Sequence, residues 1–393
     1  MNKTINYQFK TRQICLFIIS FIPITKMFMM PSIMAEKANE DLWIAAILNF
    51  LLDFLTILFL IYTFKNENKD FFESIEELFG KKVKVFILVI YLIYFIFKAY
   101  IPINEQKDYV EQTFYITMPN ILTFMPFFLI AIYLCAKKMR VLGRCADLAW
   151  LTTIIGTFLL VALSISNINI EALLPIGING AKNIFFASYR SLTWFGDCAY
   201  FLFFVGSYKH QKGDSKKILL SYLLCAVIVL TFLVLFYCTF TSMAYRQRFA
   251  LTEISKYNTI INNLGRFDYI GIMLILFSST FSLILPLFFA CKILERIIKT
   301  KNTFIIPIIV NSILILLLTV FAEYSYSIEN FILQYMGIYF IFCANVFPII
   351  FCIIKKIKLK VYKKTLPLHY NNEVTKWNLQ KLNLFFLQLL LFF

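Results

Sequence analysis

A lysine lies near the middle of the first apolar run of the chain. The run FIISFIPITKMFMMPSIM, residues 17–34, contains Pro23, Lys26 and Pro31. Proline removes a backbone hydrogen bond inside a helix, and a charge at the centre of a bilayer costs roughly 2.5 to 3.5 kcal/mol. The sequence therefore predicts a helix that breaks near Lys26, where a cation and freed peptide groups face a cavity or another charge.

A second apolar run carries a matching interruption. The run NIFFASYRSLTWFGDCAYFLFF, residues 183–204, holds Thr193, Gly196 and Asp197 in its middle. Glycine allows a positive φ and a close approach of neighbouring groups. An unwound membrane segment presents amide N–H groups to an anion and carbonyl groups to a cation or an ammonium group. The pattern thus predicts two broken helices, each with an ionisable residue at its break.

Together the two breaks predict a binding site for a small molecule that carries both charges. Asp197 can pair with Lys26 or with the amine of a bound amino acid, and the two pairings compete, which predicts a ligand-operated switch. The alternative is that Pro23 only kinks its helix and that Asp197 lies near a membrane interface. The residues expected to form the ring of the site are Pro23, Ile24, Thr25, Lys26, Thr193, Gly196 and Asp197.

Membrane helices are the elements that must position these residues. The composition is 60% hydrophobic and 15% charged, and the mean hydropathy is +0.76, as in proteins that cross a membrane several times. Because a lipid-exposed backbone must satisfy its own hydrogen bonds, each run of about 20 apolar residues is predicted to be a helix. The ten predicted helices cover residues 13–34, 42–64, 83–103, 119–137, 146–167, 183–206, 217–241, 267–291, 303–322 and 331–354.

The distribution of basic residues predicts the orientation of these helices. Most Lys and Arg residues lie in the two terminal regions and in the loops after the even-numbered helices, so both termini are predicted to be cytoplasmic. Ten helices with both ends on one side divide into two oppositely oriented halves of five, an inverted repeat. The predicted divisions are a cytoplasmic N-terminus (1–12), two five-helix repeats (13–167 and 183–354) and a basic, apolar cytoplasmic tail (355–393).

Several other functions find no support in the sequence. The nine cysteines form no CxxC pair, and both histidines lie in polar loops, so no metal site is predicted. No Ser-His-Asp set, phosphate loop or carboxylate pair suited to hydrolysis occurs, and we expect neither catalytic residues nor an enzyme. The net charge of +16 follows the membrane topology and does not indicate nucleic-acid binding.

Over roughly residues 9 to 355 the chain resembles the spore germination permeases. These are the B subunits of nutrient germinant receptors, within the amino acid/polyamine/organocation transporter superfamily. Where that family usually has a glycine-containing break in its first helix, this chain has ITKM, in which Lys26 can replace a ligand or a cation. The stretches that carry the resemblance are Met30-Pro31, DLWIAAILNFLLDF (41–54), ITMPNILTFMPFFLIAIYLCAKKMRVLGRCADL (116–148), NIEALLPIGINGAKNIFFASY (169–189) and RFDYIGIMLILF (266–277).

The resemblance implies a LeuT-like five-plus-five fold with helices one and six broken, in the inner membrane of an endospore. It also implies a subunit that works with a larger membrane subunit and a lipoprotein subunit, senses a small nutrient such as an amino acid, and triggers ion release. A cation- or proton-coupled amino acid permease has the same fold and is the alternative. An ion channel is a third interpretation, although no segment shows a repeated polar pore face.

In this family fold, hydroxyls of helix eight face helix one and can complete a sodium site. Ser278 and Ser279, in the stretch SSTFS, are the corresponding residues, and Asp53 near the centre of helix two is a second candidate for an ion or coupling site. The alternative is that the serines only bond to carbonyls of their own helix. Tyr94 is a candidate for lining the ligand pocket, and Lys98 is expected to extend to the outer membrane surface. No cofactor is expected beyond Na⁺ or H⁺ as a coupling ion.

Overall fold

The computed structural model describes residues 9–65, 67, 69–114, 120–164, 168–256, 268–298 and 302–365. The apolar end of the predicted tail, residues 366–393, lies outside the described residues. Within those residues the chain forms helices and turns, together with one isolated bridge between Phe9 and Tyr208. The predicted all-α class is confirmed.

The helices follow one another with short connections. Met336 and a five-residue π-helical stretch, Phe342–Val346, interrupt the last run, which otherwise continues from α14 into α16. The helices are α1 (Thr11–Thr25), α2 (Met30–Ala38), α3 (Leu42–Phe64), α4 (Phe71–Phe79), α5 (Lys81–Phe114), α6 (Asn120–Cys135), α7 (Met139–Ser164), α8 (Gly180–Arg190), α9 (Cys198–Phe204), α10 (Asp214–Phe240), α11 (Ala250–Lys256), α12 (Asp268–Ile298), α13 (Ile305–Thr319), α14 (Ser325–Tyr335), α15 (Gly337–Ile341) and α16 (Phe347–Thr365).

The first predicted break separates α1 from α2. Pro23 lies in the last turn of α1, and the chain leaves the helix at Lys26. Helix α2 resumes at Met30 with Pro31 in its first turn, where the missing N–H of proline costs no hydrogen bond. Helix one is therefore interrupted where the sequence predicts it.

The second predicted break separates α8 from α9. Gly196 has a φ of +77°, which a side chain would disfavour. A Cβ atom at this position would also lie 2.7 Å from the Tyr94 hydroxyl oxygen and 2.9 Å from Ala344 Cβ. Glycine is thus required here both by the backbone conformation and by the close approach of α5.

The number of membrane-spanning helices is confirmed only in part. Among the described residues, six helical runs are long and apolar enough to cross a membrane, or seven if the pair Ile305–Thr319 and Ala322–Tyr335, bent by 69°, is one span. Thr11–Thr25 and Phe124–Cys135 are apolar but shorter, and α8 and α9 are shortened by their break. The six runs are Met30–Phe64, Lys81–Thr113, Met139–Leu159, Asp214–Arg246, Ile270–Ile298 and Gly337–Lys358.

These helices are those of an integral membrane protein. The ten-span inverted repeat, its domain divisions and the orientation of the termini remain predictions. Helices α1, α8 and α9 have 15, 11 and 7 residues, fewer than the roughly 20 that a single span needs.

The broken helices lie at the centre of the packing. Helix α1 packs against α7, α10 and α12, whereas α2 packs against α8. Ser282 of α12 donates to the carbonyl of Phe21 at 3.0 Å, and Thr153 of α7 donates to the carbonyl of Ser20 at 3.3 Å. Polar contacts from two long helices therefore support α1 in the turn before Pro23.

Candidate functional site

Lys26 and Asp197 bring the two breaks together. Lys26 is completely buried, and its ammonium group forms an ion pair with Asp197 Oδ2. The same ammonium donates to the Ile22 carbonyl at 3.3 Å and lies 5.1 Å from the centre of the Phe195 ring. Because removing two charges from water costs several kcal/mol per ion, each charge here makes the burial of the other tolerable.

A second lysine approaches the same carboxylate. Lys98, on α5, contacts the Phe195 carbonyl and lies 3.4 Å from the Thr193 carbonyl and 3.7 Å from Asp197 Oδ1. The prediction that Lys98 extends to the membrane surface is wrong, since its side chain is only 4% exposed. It faces the non-helical segment between α8 and α9 and contacts two carbonyl groups of that segment.

Asp53, on α3, binds backbone N–H groups at the start of α9. Its Oδ2 accepts hydrogen bonds from the backbone N–H groups of Gly196 at 2.9 Å and Asp197 at 3.2 Å. Tyr222 and Asn345 donate to the same carboxylate. The backbone amides that were expected to receive the carboxylate of a ligand are therefore bound to a carboxylate of the chain itself. We refer to Lys26, Asp53, Lys98 and Asp197 as the central cluster.

Other predicted site residues lie around the central cluster but differ in their contacts. The Tyr94 hydroxyl donates to the Gly196 carbonyl at 3.1 Å. The carbonyls of Pro23 and Ile24, expected to be free, accept the N–H groups of Lys26 and Met27 at 3.0 and 3.1 Å. The turn that ends α1 therefore satisfies its own carbonyl groups, and those two atoms are not displayed to a ligand.

The predicted ion-site serines face other helices. Ser278 lies 2.6 Å from the Thr152 hydroxyl and 3.2 Å from the Ala149 carbonyl of α7, and Ser279 donates to Gln106 of α5 at 2.9 Å. Within the SSTFS stretch, Ser282 is the described hydroxyl residue that donates to α1. It lies one helical turn after Ser278, so helical spacing was the signal that could have identified it.

A narrow cavity lies beside the ion pair. Its polar wall contains Thr25, Lys98, Asp197 and Ser282, and Trp194, with leucine and proline side chains, forms much of its apolar wall. The empty volume is about 290 Å³, but only about 20 Å³ of it can hold the centre of a water molecule. That room suits about one water, so the cavity in this conformation is too narrow for an amino acid.

A second group of ion pairs joins five parts of the chain, among them α2 and α8. Trp194, which lines the cavity, donates its indole N–H to Glu105 at 2.8 Å. Arg190 pairs with Glu36 at 2.6 Å, and Arg248 pairs with Asp108 at 2.9 Å and with Glu329 at 3.5 Å. We refer to Glu36, Asp108, Arg190, Arg248 and Glu329 as the peripheral cluster, which sequence reasoning missed.

Aromatic rings of α1, α9 and α12 pack together near the cavity. The rings of Phe17 and Phe204 pack edge to face with centres 4.8 Å apart, and Phe203 and Phe289 approach to 4.6 Å. Tyr200, which lines the cavity, stacks on Phe289 at 5.4 Å. The α9 wall of the cavity is therefore part of a packed aromatic group.

The family profile described as Spore germination protein, of permease type, matches residues 8–327. The chain belongs to the spore germination protein family. This match confirms the resemblance drawn from the sequence and includes all four residues of the central cluster. No curated protein sequence matches the chain. Spore germination permeases are a transporter-like family that is generally not enzymatic.

Proposed function

We propose that this spore germination protein is the germinant-sensing membrane subunit of a nutrient receptor. It binds a small nutrient, an amino acid, between its two broken helices and thereby triggers germination. The observation that carries the proposal is the ion pair of Lys26 and Asp197 beside a narrow cavity. An amino acid ammonium has the same chemistry as the Lys26 ammonium and can replace it at the carboxylate.

The exchange of ammonium groups links binding to a conformational change. In the closed state Lys26 joins the end of α1 to the start of α9, and Ser282 holds α1 to α12. When a ligand takes Asp197, Lys26 leaves the carboxylate and α1 is released from α9. A ligand shifts such an equilibrium by its difference in affinity for the two states, and that difference arises here because only the open state has room for it.

The family supplies the setting of this proposal. A LeuT-like five-plus-five arrangement, with both termini cytoplasmic, would place the two breaks at mid-membrane depth. The subunit would act in the inner membrane of the spore, with a larger membrane subunit and a lipoprotein subunit. Movement of α1 would then be passed to those partners.

A cation- or proton-coupled amino acid permease is the second candidate. The observation that favours it is the interruption of both helices beside one cavity, because discontinuous helices form the substrate and ion sites of many transporters. Lys26 bears on this alternative as well, since a tethered ammonium beside Asp197 occupies space that a coupling ion would need.

Uptake by reconstituted vesicles distinguishes the two candidates. The full-length chain is placed in lipid vesicles and supplied in turn with the labelled common L-amino acids. The receptor proposal predicts saturable binding that Asp197→Asn abolishes, with no accumulation inside the vesicles. Accumulation driven by a sodium or proton gradient would favour the permease, and absence of binding for every amino acid would contradict both.

A further inference from the structure

We propose that Lys98 binds the carboxylate group of the ligand, and that the backbone amides of the broken helix do not. This inference rests on the proposed function, because it assigns the second charge of an amino acid whose ammonium binds Asp197. It makes α5, rather than the start of α9, the element that selects ligands with a free carboxylate.

The first step is that the amides of α9 are already bound. Asp53 accepts from the N–H groups of Gly196 and Asp197, and Tyr222 and Asn345 hold the same carboxylate in place. Asp53 is 1% exposed. A ligand carboxylate at those amides would stand directly beside Asp53, and two adjacent carboxylates repel each other. The ligand carboxylate must therefore bind elsewhere.

The second step is the balance of charge at the cavity wall. Lys26 and Lys98 both approach Asp197, but Lys26 forms the direct pair and Lys98 remains 3.7 Å away. The closer contacts of Lys98 are the neutral carbonyls of Thr193 and Phe195. Among the described residues that line the cavity, Lys98 is the one cation. Its distance of 3.7 Å from Asp197 Oδ1 leaves it without an anion at hydrogen-bonding distance, and an incoming carboxylate supplies one.

The third step is the distance that a ligand must span. Lys26 contacts Oδ2 of Asp197, whereas Lys98 faces Oδ1 of the same carboxylate. An α-amino acid carries its ammonium and carboxylate on one carbon atom. Once its ammonium replaces Lys26, its carboxylate therefore lies within reach of Lys98. The ring of Tyr200, centred 5.6 Å from the Lys98 ammonium, helps to keep that ammonium at the cavity.

Paired ligands test this assignment. Binding of L-alanine, L-valine and L-leucine to the full-length chain is compared with binding of their primary amides, which keep the ammonium but lose the carboxylate charge. A charge-assisted hydrogen bond lost in a buried site weakens binding about 10- to 100-fold. We expect the wild-type chain to bind each acid about 10- to 100-fold more tightly than its amide. This ratio of affinities is the acid-to-amide ratio.

Substitution of the lysine completes the test. Lys98→Gln should bring the acid-to-amide ratio close to one by weakening only the acids, whereas Lys98→Arg keeps the positive charge and should retain most of the preference. Lys107→Gln is the matched control, because Lys107 is also a buried lysine of α5 but pairs with Asp108 away from the cavity wall. It should leave the ratio unchanged.

Each outcome tests either the role of Lys98 or the proposed function. An unchanged acid-to-amide ratio in Lys98→Gln overturns the role of Lys98 while leaving the proposed function intact. Equal binding of acids and amides by the wild-type chain does the same, even if Lys98→Gln fails to fold. If the wild-type chain binds none of the common amino acids, the proposed function fails, and the role of Lys98 fails with it.

Discussion

The central and peripheral clusters both contain ion pairs, but these pairs differ in exposure. None of the four central residues is more than 4% exposed. In the peripheral cluster Arg190 and Glu329 are buried, but each pairs with a side chain that is about 40% exposed, Glu36 or Arg248. Exposed ion pairs contribute about 0–1 kcal/mol each, whereas breaking a buried pair costs about 3–5 kcal/mol. Because every peripheral pair has one partner open to solvent, we expect the central cluster to contribute more to the energy of opening than the peripheral cluster does.

The largest expected effect is that of Asp197→Asn. This change leaves the buried Lys26 ammonium without its carboxylate, so we expect a loss of about 3–5 kcal/mol in the free energy of unfolding. Chemical denaturation of the solubilised protein measures it. Arg248→Gln is the comparison in the peripheral cluster, and a loss there as large as that for Asp197→Asn would contradict the distinction between the clusters.

Asp53→Asn should have the next largest effect. In the wild-type chain the Asp53 carboxylate accepts hydrogen bonds from several N–H and O–H donors. The asparagine amide N–H₂ group cannot accept from them, and this loss costs about 2–3 kcal/mol of stability. Asp41→Asn is the matched control, since Asp41 is equally buried and accepts from the backbone N–H of Gly177 at 2.7 Å. Both changes should lower the denaturation midpoint, but only Asp53→Asn should alter amino acid affinity. An altered affinity in Asp41→Asn would count against a local role for Asp53.

Gly196→Ala should follow in size. A positive φ costs a residue with a side chain roughly 1–2 kcal/mol, and crowding in a packed interior adds about 1–3 kcal/mol. Gly177→Ala separates the two costs, because Gly177 has a φ of +83° but a Cβ there would meet nothing within 4 Å. The difference between the two midpoints of denaturation measures the crowding against Tyr94. Equal losses would mean that α5 does not press on the break.

Arg248→Gln should have the smallest effect. With its side chain 41% exposed, loss of its ion pairs should lower the free energy of unfolding by about 1 kcal/mol or less. Added salt screens exposed pairs, so the difference from wild type should shrink as ionic strength rises. Denaturation at low and high salt is the measurement, and a loss independent of salt would place Arg248 among the buried charges.

The breaks themselves were predictable from the sequence. Pro23 and Lys26 in one apolar run, and Gly196 and Asp197 in another, are residue types that a membrane helix accommodates only at special places. Their pairing was also predictable, because two opposite charges in apolar surroundings lower each other's cost. These inferences need only local sequence and the physics of burial.

The sequence predictions that failed depend on the length and the rotation of helices. Lys98 was placed near a membrane surface because its apolar run ends at about residue 103, but α5 continues to Phe114 and puts Lys98 at its middle. The run of serines on α12 gave the correct helix but not the residue facing α1, which is Ser282. Asp53 meets Asn345 only through the packing of distant helices, and no local pattern signals that contact.

Competition between Lys26 and a ligand for Asp197 is the central claim, and amino acid affinity tests it most directly. The affinity of the full-length wild-type chain for its preferred common L-amino acid is compared with those of Lys26→Met and Asp197→Asn. Lys26→Met should bind about tenfold more tightly or better, because it removes the tethered competitor, and Asp197→Asn should lose binding. Unchanged or weaker binding by a folded Lys26→Met protein would contradict the account.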